Sequence, residues 1–241
     1  MTLRGKTVLI TGAALRIGRS LALAVARAGG DVVLHFGKSR KAAEALQAEI
    51  EASGRKAFLL QAELSEAAQV TDLIARAREF APLFALVNNA SIFEQFSWED
   101  TSLEQWNRTL MVNLTAPFLL SQAFARSLEP AGTGRIINLL DWRALRPGTA
   151  SLAYTISKSA LAALTQSLAV ALAPRINVNG LALGAILPPS DGAPAKIKIE
   201  QIPARRWADL AEVDQALIFL LDGPAYITGE IIHIDGGRHL V

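Results

Sequence analysis

Apolar runs of strand length alternate with amphipathic runs of helix length along the whole chain. The first run, TVLITG (7–12), is apolar on successive positions, the pattern of a strand buried on both faces. In RIGRSLALAVARAG (16–29) the apolar residues recur at helical spacing and a glycine closes the segment. The same reasoning predicts strands over 31–36, 56–64, 84–91, 134–140, 175–183 and 229–237. It predicts helices over 39–54, 68–80, about 103–128, 152–173 and 212–223. Strands alternating with helices of this length form βαβ units on a mostly parallel sheet, an α/β architecture. No repeat or interdomain linker interrupts the pattern, so 1–241 reads as one domain. The least regular stretch is 184–206, where prolines and glycines break any continuous helix. It reads either as a loop that covers a ligand or as a plain connection.

Composition narrows the function classes. The chain is 51% hydrophobic over 241 residues, enough for one substantial core. It has no cysteine, which excludes a disulfide or a thiolate nucleophile. Lys+Arg number 24 against Asp+Glu 22, a net charge of +2 with no dense basic stripe, so no nucleic-acid partner is expected. The opening MTLRGKTVLITG enters a strand at once, without the longer apolar segment of a signal peptide. No apolar run reads as long enough to cross a bilayer, so the expectation is a cytoplasmic protein without a membrane partner. Histidines 35, 233 and 239 have no chelating spacing, and no metal is expected.

Candidate chemistry begins in TGAALRIG (11–18), between the first strand and the first helix. Gly12 and Gly18 let the backbone approach a ligand, and a helix N-terminus presents free N–H groups to an anion. Taken alone, the motif is also compatible with a plain tight turn, and Arg16 stands where a dinucleotide fingerprint has its middle glycine. The end of the second strand usually carries an acid when the bound ribose has a free 2′-hydroxyl. Here the residues are His35, Phe36, Gly37, Lys38, Ser39 and Arg40, and the nearest acid, Asp31, lies at the wrong end. Lys38 and Ser39 suit a 2′-phosphate, which favours NADPH over NADH. The alternative is that Lys38 and Arg40 are solvated surface groups.

Farther on, Tyr154 and Lys158 are four residues apart and share one helix face. A nearby ammonium favours the phenolate, so Lys158 is expected to lower the Tyr154 pKa. Asp141 precedes the tyrosine by thirteen residues, at the end of an apolar strand. It reads either as a cap for the turn DWRAL or as a group acting on the phenol.

TGAALRIG, LVNNAS, Asn113, YTISK, INVNGLALG and YITGEIIHIDGG together resemble the short-chain dehydrogenase/reductase family over almost the whole chain. The resemblance implies a single-domain, Rossmann-like three-layer fold that binds a nicotinamide dinucleotide. It implies that Gly12, Arg16, Ile17, Gly18, His35, Lys38, Ser39, Glu63, Leu64, Asn89, Ala90, Lys158 and Gly184 bind the cofactor, with Glu63 and Leu64 beside the adenine. It assigns Tyr154 as acid/base, Lys158 to the nicotinamide ribose, and Asn113 to a proton-relay water.

Two positions depart from the family. Asp141 stands where serine or threonine is usual, and Leu183-Gly184 replaces Pro-Gly. Together with Arg16, HFGKS (35–39), NNASIF (88–93) and the ending DGGRHLV, these features are similar to the pteridine reductase and dihydromonapterin reductase branch. That likeness implies a pterin between Phe93 and the nicotinamide, contacted by Arg16, Ser91, Asp141 and Tyr154. It also implies a homotetramer in which Arg238 or His239 reaches a neighbouring site, although each also reads as a surface residue. The competing readings are an NADPH-dependent reductase of 3-oxoacyl thioesters or small ketones and, more distantly, a non-catalytic nucleotide-binding protein.

Overall fold

The computed structural model describes residues 3–144, 146–147, 151–188 and 199–241. Seven strands are present among them: β1 (Thr7–Ile10), β2 (Asp31–Phe36), β3 (Ala57–Gln61), β4 (Leu83–Asn88), β5 (Gly134–Asp141), β6 (Ile176–Leu183) and β7 (Ile231–Ile234). They form one sheet in the order β3-β2-β1-β4-β5-β6-β7, and every pairing is parallel. The helices are α1 (Arg16–Arg27), α2 (Arg40–Ala52), α3 (Ala67–Arg78), α4 (Leu103–Leu110), α5 (Ala116–Ser127), α6 (Leu152–Leu172) and α7 (Leu210–Asp222).

Successive residues of a strand face opposite sides, and both sides are apolar here. Val8 and Ile10 of β1 join Leu21, Val25, Leu46, Ile50, Val213 and Leu217 in the layer under α1, α2 and α7. Leu9, between them, joins Val70, Leu73, Leu120, Phe124 and Ala169 under α3, α5 and α6. A sheet buried on both faces needs two helical layers, which accounts for the three-layer architecture. The strand order reverses between β1 and β4. In open parallel sheets the crevice beyond the strand ends at such a point is where ligands bind.

The predicted helical region about 103–128 is two helices joined by a π-turn, Met111–Thr115. Its start is fixed by a capping box. Gln105 N–H donates to Ser102 Oγ (3.2 Å), and Ser102 N–H donates to Gln105 Oε1 (2.8 Å). In the π-turn the Ala116 N–H bonds to the Met111 carbonyl, five residues back.

Helix α6 corrects one expectation. Its 21 residues are long and apolar enough to cross a bilayer by length and composition alone. Its sheet-facing side includes the buried Tyr154, Ser157, Lys158, Leu161 and Thr165. Asn138 of β5 donates to Thr165 (2.9 Å) and accepts from Asn88 of β4 (2.8 Å), tying this helix to the sheet by polar bonds inside the core.

Candidate active site

A cleft of about 550 Å³ opens beyond the ends of β1, β4, β5 and β6, lined by Arg16, Ile17, Asn89, Ser91, Asp141, Tyr154, Lys158 and Gly184 among others. On one side, Gly12 has φ +62°, and a Cβ there would come within 3.0 Å of the Ala90 Cα. A Cβ on Gly18 would lie 2.1 Å from the Gly12 carbonyl, so only glycine lets α1 start this close to the turn. Helix α1 has no side-chain cap and no acid in its first turn, leaving its N-terminal N–H groups for an external anion. Arg16 also has positive φ, +53°, and donates to the Pro188 carbonyl (2.7 Å) across the cleft.

The turn is held from two sides. Asn89 Nδ2 donates to the carbonyls of Thr11 (2.8 Å) and Gly12 (3.1 Å). Thr11 Oγ1 accepts the N–H groups of Asn89 and Ala90, each at 3.0 Å. Thr11 was not singled out by sequence, because its role depends on a contact between β1 and β4. His35 lies beneath the turn, 2% exposed. Its Nδ1 accepts the Gly12 N–H (3.1 Å), which leaves Nε2–H to donate to the Ala62 carbonyl (3.1 Å). Burial pushes its pKa down to about 4. This corrects the assignment of His35 as a cofactor contact: both ring nitrogens are used inside the protein, and the residue buttresses the turn.

Lys38 is exposed and has no carboxylate partner within 4.0 Å among the described residues. Ser39 precedes α2 without using its hydroxyl as a cap. Arg40 is engaged, donating to Gln61 Oε1 (2.6 Å). Asp31 accepts the Lys56 N–H (2.9 Å) at the far end of the strands. Glu63 lies near the Gly37 backbone, whereas Leu64 sends its side chain into the core under α3.

On the other side of the cleft, the Tyr154 hydroxyl donates to Asp141 Oδ2 (3.1 Å). Asp141 Oδ1 accepts the Arg143 N–H (2.9 Å), and the Arg143 guanidinium lies 3.3 Å from both carboxylate oxygens. The turn cap and the phenol contact are therefore made by one carboxylate. Lys158 Nζ donates to the Leu139 carbonyl (2.7 Å) and lies 5.8 Å from the Tyr154 ring centre.

Burial, then the Asp141 charge and hydrogen bond, pushes the Tyr154 phenol well above its ordinary value of 10.0, and Arg143 offsets only part of this. Burial lowers Lys158 to about 8, against the opposing pull of Asp141. The expectation that the ammonium sets a low phenol pKa is thus corrected. Burial and the adjacent carboxylate together keep the phenol protonated, and Tyr154 stands as a neutral proton donor. Arg143, absent from the sequence reading, is visible only once the turn after β5 folds it back.

Asn113, in the π-turn, uses its whole amide. Oδ1 accepts from Ser91 Oγ (3.2 Å) and the Ile92 N–H (2.9 Å), while Nδ2 donates to the Ile92 carbonyl (3.0 Å) and Ser157 Oγ (3.1 Å). It locks the segment after β4 to the catalytic-side helix. Phe93, on that segment, meets Tyr154 edge to face with centroids 4.6 Å apart and is 48% exposed. Gly184 packs under Asp235, where a Cβ would lie 2.6 Å from the Asp235 Cα. Residues 189–198 of the irregular 184–206 stretch lie outside the described residues. Arg238 folds over Trp142 of its own chain, and His239 bonds Asp235 and stacks on His233 with centroids 3.9 Å apart. A second cleft of about 570 Å³, beside Ile202, His233 and Asp235, contains neither Tyr154 nor Lys158.

The family model described as short chain dehydrogenase matches residues 6–195. The chain belongs to this family. Among curated relatives, the 3-oxoacyl-[acyl-carrier-protein] reductase of Synechocystis sp. is 33% identical, covering 98% of this chain and 97% of that protein. Among solved structures, FolM alternative dihydrofolate reductase 1 from Brucella canis, complexed with NADP, matches with a TM-score of 0.92 and 33% identity, over 100% of this chain and 97% of that one. A short chain dehydrogenase from Burkholderia cenocepacia J2315, in complex with NADP, matches with a TM-score of 0.92 and 36% identity over 99% of each chain. The short-chain dehydrogenase fold thus extends through β7, beyond the segment that the family model covers.

Proposed function

We propose that this NADP(H)-dependent short-chain reductase transfers hydride to a ring C=N bond of a dihydropterin, giving the tetrahydropterin. The observation that carries the reading is the 3.1 Å contact between the Tyr154 phenol and the Asp141 carboxylate. A ketone reductase needs one neutral hydroxyl there. A ring nitrogen that must gain a proton is better served by a phenol backed by an acid. The likeness to a protein named as a dihydrofolate reductase supports the same choice, since dihydrofolate is itself a dihydropterin.

In this reading the dinucleotide's phosphates rest on the N-terminus of α1 and the Gly12 turn, with Lys38 and Ser39 on the 2′-phosphate. Lys158 donates to the nicotinamide ribose. NADPH supplies the hydride. Phe93 offers an aromatic surface for the substrate ring, and its own orientation is held by Tyr154. Tyr154 turns its hydroxyl proton from Asp141 to the substrate nitrogen. The phenolate left behind is opposed by the adjacent carboxylate, so a proton taken up by Asp141 from solvent passes to it and restores the donor. Arg143 and Lys158 moderate the negative charge while this happens.

The second reading, reduction of a 3-oxoacyl thioester, is favoured by the curated relative of that name and leaves Asp141 as a turn cap. NADPH oxidation with dihydrobiopterin, dihydromonapterin, dihydrofolate and an acetoacetyl thioester separates the two. Turnover of the dihydropterins is expected. Turnover of the thioester with none of the dihydropterins would reject the proposal.

A further inference from the structure

Beyond Ile234 the chain folds back onto its own site. Gly236 and Gly237 take positive φ, +64° and +84°, and a Cβ on Gly236 would come within 2.8 Å of the Ala204 side chain. Asp235, 5% exposed, accepts the N–H groups of Gly237 (2.9 Å) and His239 (2.8 Å), and its Oδ2 lies 2.8 Å from His239 Nδ1. One buried carboxylate therefore fixes the residues on both sides of Arg238. The Arg238 guanidinium carbon is placed 4.1 Å from the Trp142 ring centre, and Trp142 directly follows Asp141.

A second guanidinium, Arg143, lies 5.1 Å from the same ring and 5.6 Å from Phe93. Two cations thus share one indole beside the Asp141 carboxylate, which Arg143 already occupies at 3.3 Å. Arg238 has no carboxylate within 4.0 Å among the described residues. Like charges held on one partly desolvated surface repel, and an incoming anion relieves that repulsion. The fork geometry of a guanidinium, steadied on an aromatic face, suits a carboxylate.

We propose that Arg238 is a specificity-determining residue that receives a carboxylate on the substrate's tail, so that the preferred substrates are dihydropterins with an acidic side chain. The inference rests on the pterin reading. It places the acidic tail one residue along the chain from the proton-transfer pair, on the rim formed by Phe93, Trp142 and the two arginines. It also gives the C-terminal turn a function within its own subunit.

The test compares dihydrofolate, which carries two tail carboxylates, with dihydrobiopterin, whose tail is neutral. The wild type, Arg238→Gln and Arg238→Lys would be compared, with folding checked by thermal melting. Arg238→Gln should raise KM for dihydrofolate by about tenfold, the scale of one charge-assisted contact, and leave its kcat unchanged. KM for dihydrobiopterin should stay within about twofold, and Arg238→Lys should recover part of the loss, because it keeps the charge but not the fork. Added salt should weaken dihydrofolate in the wild type and have little effect in Arg238→Gln. Equilibrium titration of the NADP⁺ complex with folate and with biopterin reads the same preference without turnover. If both pterins are reduced and the substitution changes them equally or not at all, the inference is overturned while the pterin reading stands. If neither is bound nor reduced, both are overturned.

Discussion

Acidification should destabilise the protein through His35, and the size of the effect follows from its surroundings. The ring is buried and neutral, accepting from Gly12 and donating to Ala62. Its folded pKa of about 4 lies below the ordinary 6.5, so between these values the unfolded chain binds the extra proton. The stability contribution is therefore complete above about pH 6.5 and is lost as pH falls toward 4. From pH 7.5 to 4.5 the loss from this one group is about 2.5 kcal/mol, using ~1.4 kcal/mol per pKa unit and allowing for partial titration at the lower pH. In a chain of this size that corresponds to a fall in Tm of roughly 5–10 °C.

The assay is urea unfolding of the wild type and His35→Asn at both pH values. Asparagine keeps an acceptor near the Gly12 N–H but does not titrate. It should be less stable by about 1–3 kcal/mol at pH 7.5, because the Ala62 carbonyl loses its donor. Between the two pH values its stability should fall less than that of the wild type by about 2.5 kcal/mol, since the carboxylates common to both proteins cancel. Equal losses in the two proteins would refute the reasoning.

Other perturbations test the cleft directly. Asp141→Asn and Tyr154→Phe should each slow single-turnover hydride transfer to dihydrobiopterin by ~10²–10⁴-fold while changing NADPH affinity little, and an unchanged rate in a folded Asp141→Asn protein would end the proton-relay role. Lys38→Asp should erase or reverse the preference for NADPH over NADH in a binding titration, because it replaces a cation with repulsion toward the 2′-phosphate. Lys158 loses its proton as pH rises through about 8, so NADPH affinity should hold below that pH and decline above it, and a flat profile to pH 9.5 would contradict the ribose assignment. Phe93→Ala should weaken dihydropterin binding by ~1–3 kcal/mol and spare NADPH, and equal losses for both ligands would place the ring elsewhere.

The layered fold was legible in the sequence because its strands are apolar on consecutive positions and its helices are not. That contrast survives without knowledge of any long-range contact. The site was legible where chemistry sits at an element's end, as with Asp141 and Tyr154. It was less legible where function depends on which way a ring points. His35 stands next to Phe36 at a strand end facing the cofactor side, yet its two nitrogens are spent on Gly12 and Ala62. Thr11, Arg143 and Ser157 lie within TGAALRIG, DWRAL and YTISK, but nothing local singles them out, since the partners that give them meaning lie on other elements or across a turn. The stack of His233 on His239 was also hidden, because it depends on two glycines reversing the chain between them.

The π-turn at Met111–Thr115 makes the catalytic half of the molecule depend on how the chain is wound at that point. One residue corresponds to about 100° of helical rotation. Winding the same residues as a regular α-helical turn, with none removed, would rotate everything downstream by about that angle. Leu120 and Phe124 would swing out of the sheet layer, and the space where the Phe124 ring now closes on Gly134, too tight for even a methyl group, would be left open. Substitutions can be absorbed along α5, but its sequence has no freedom to slip. Asn113 keeps its four hydrogen bonds only because the extra residue beside it is counted into the fold.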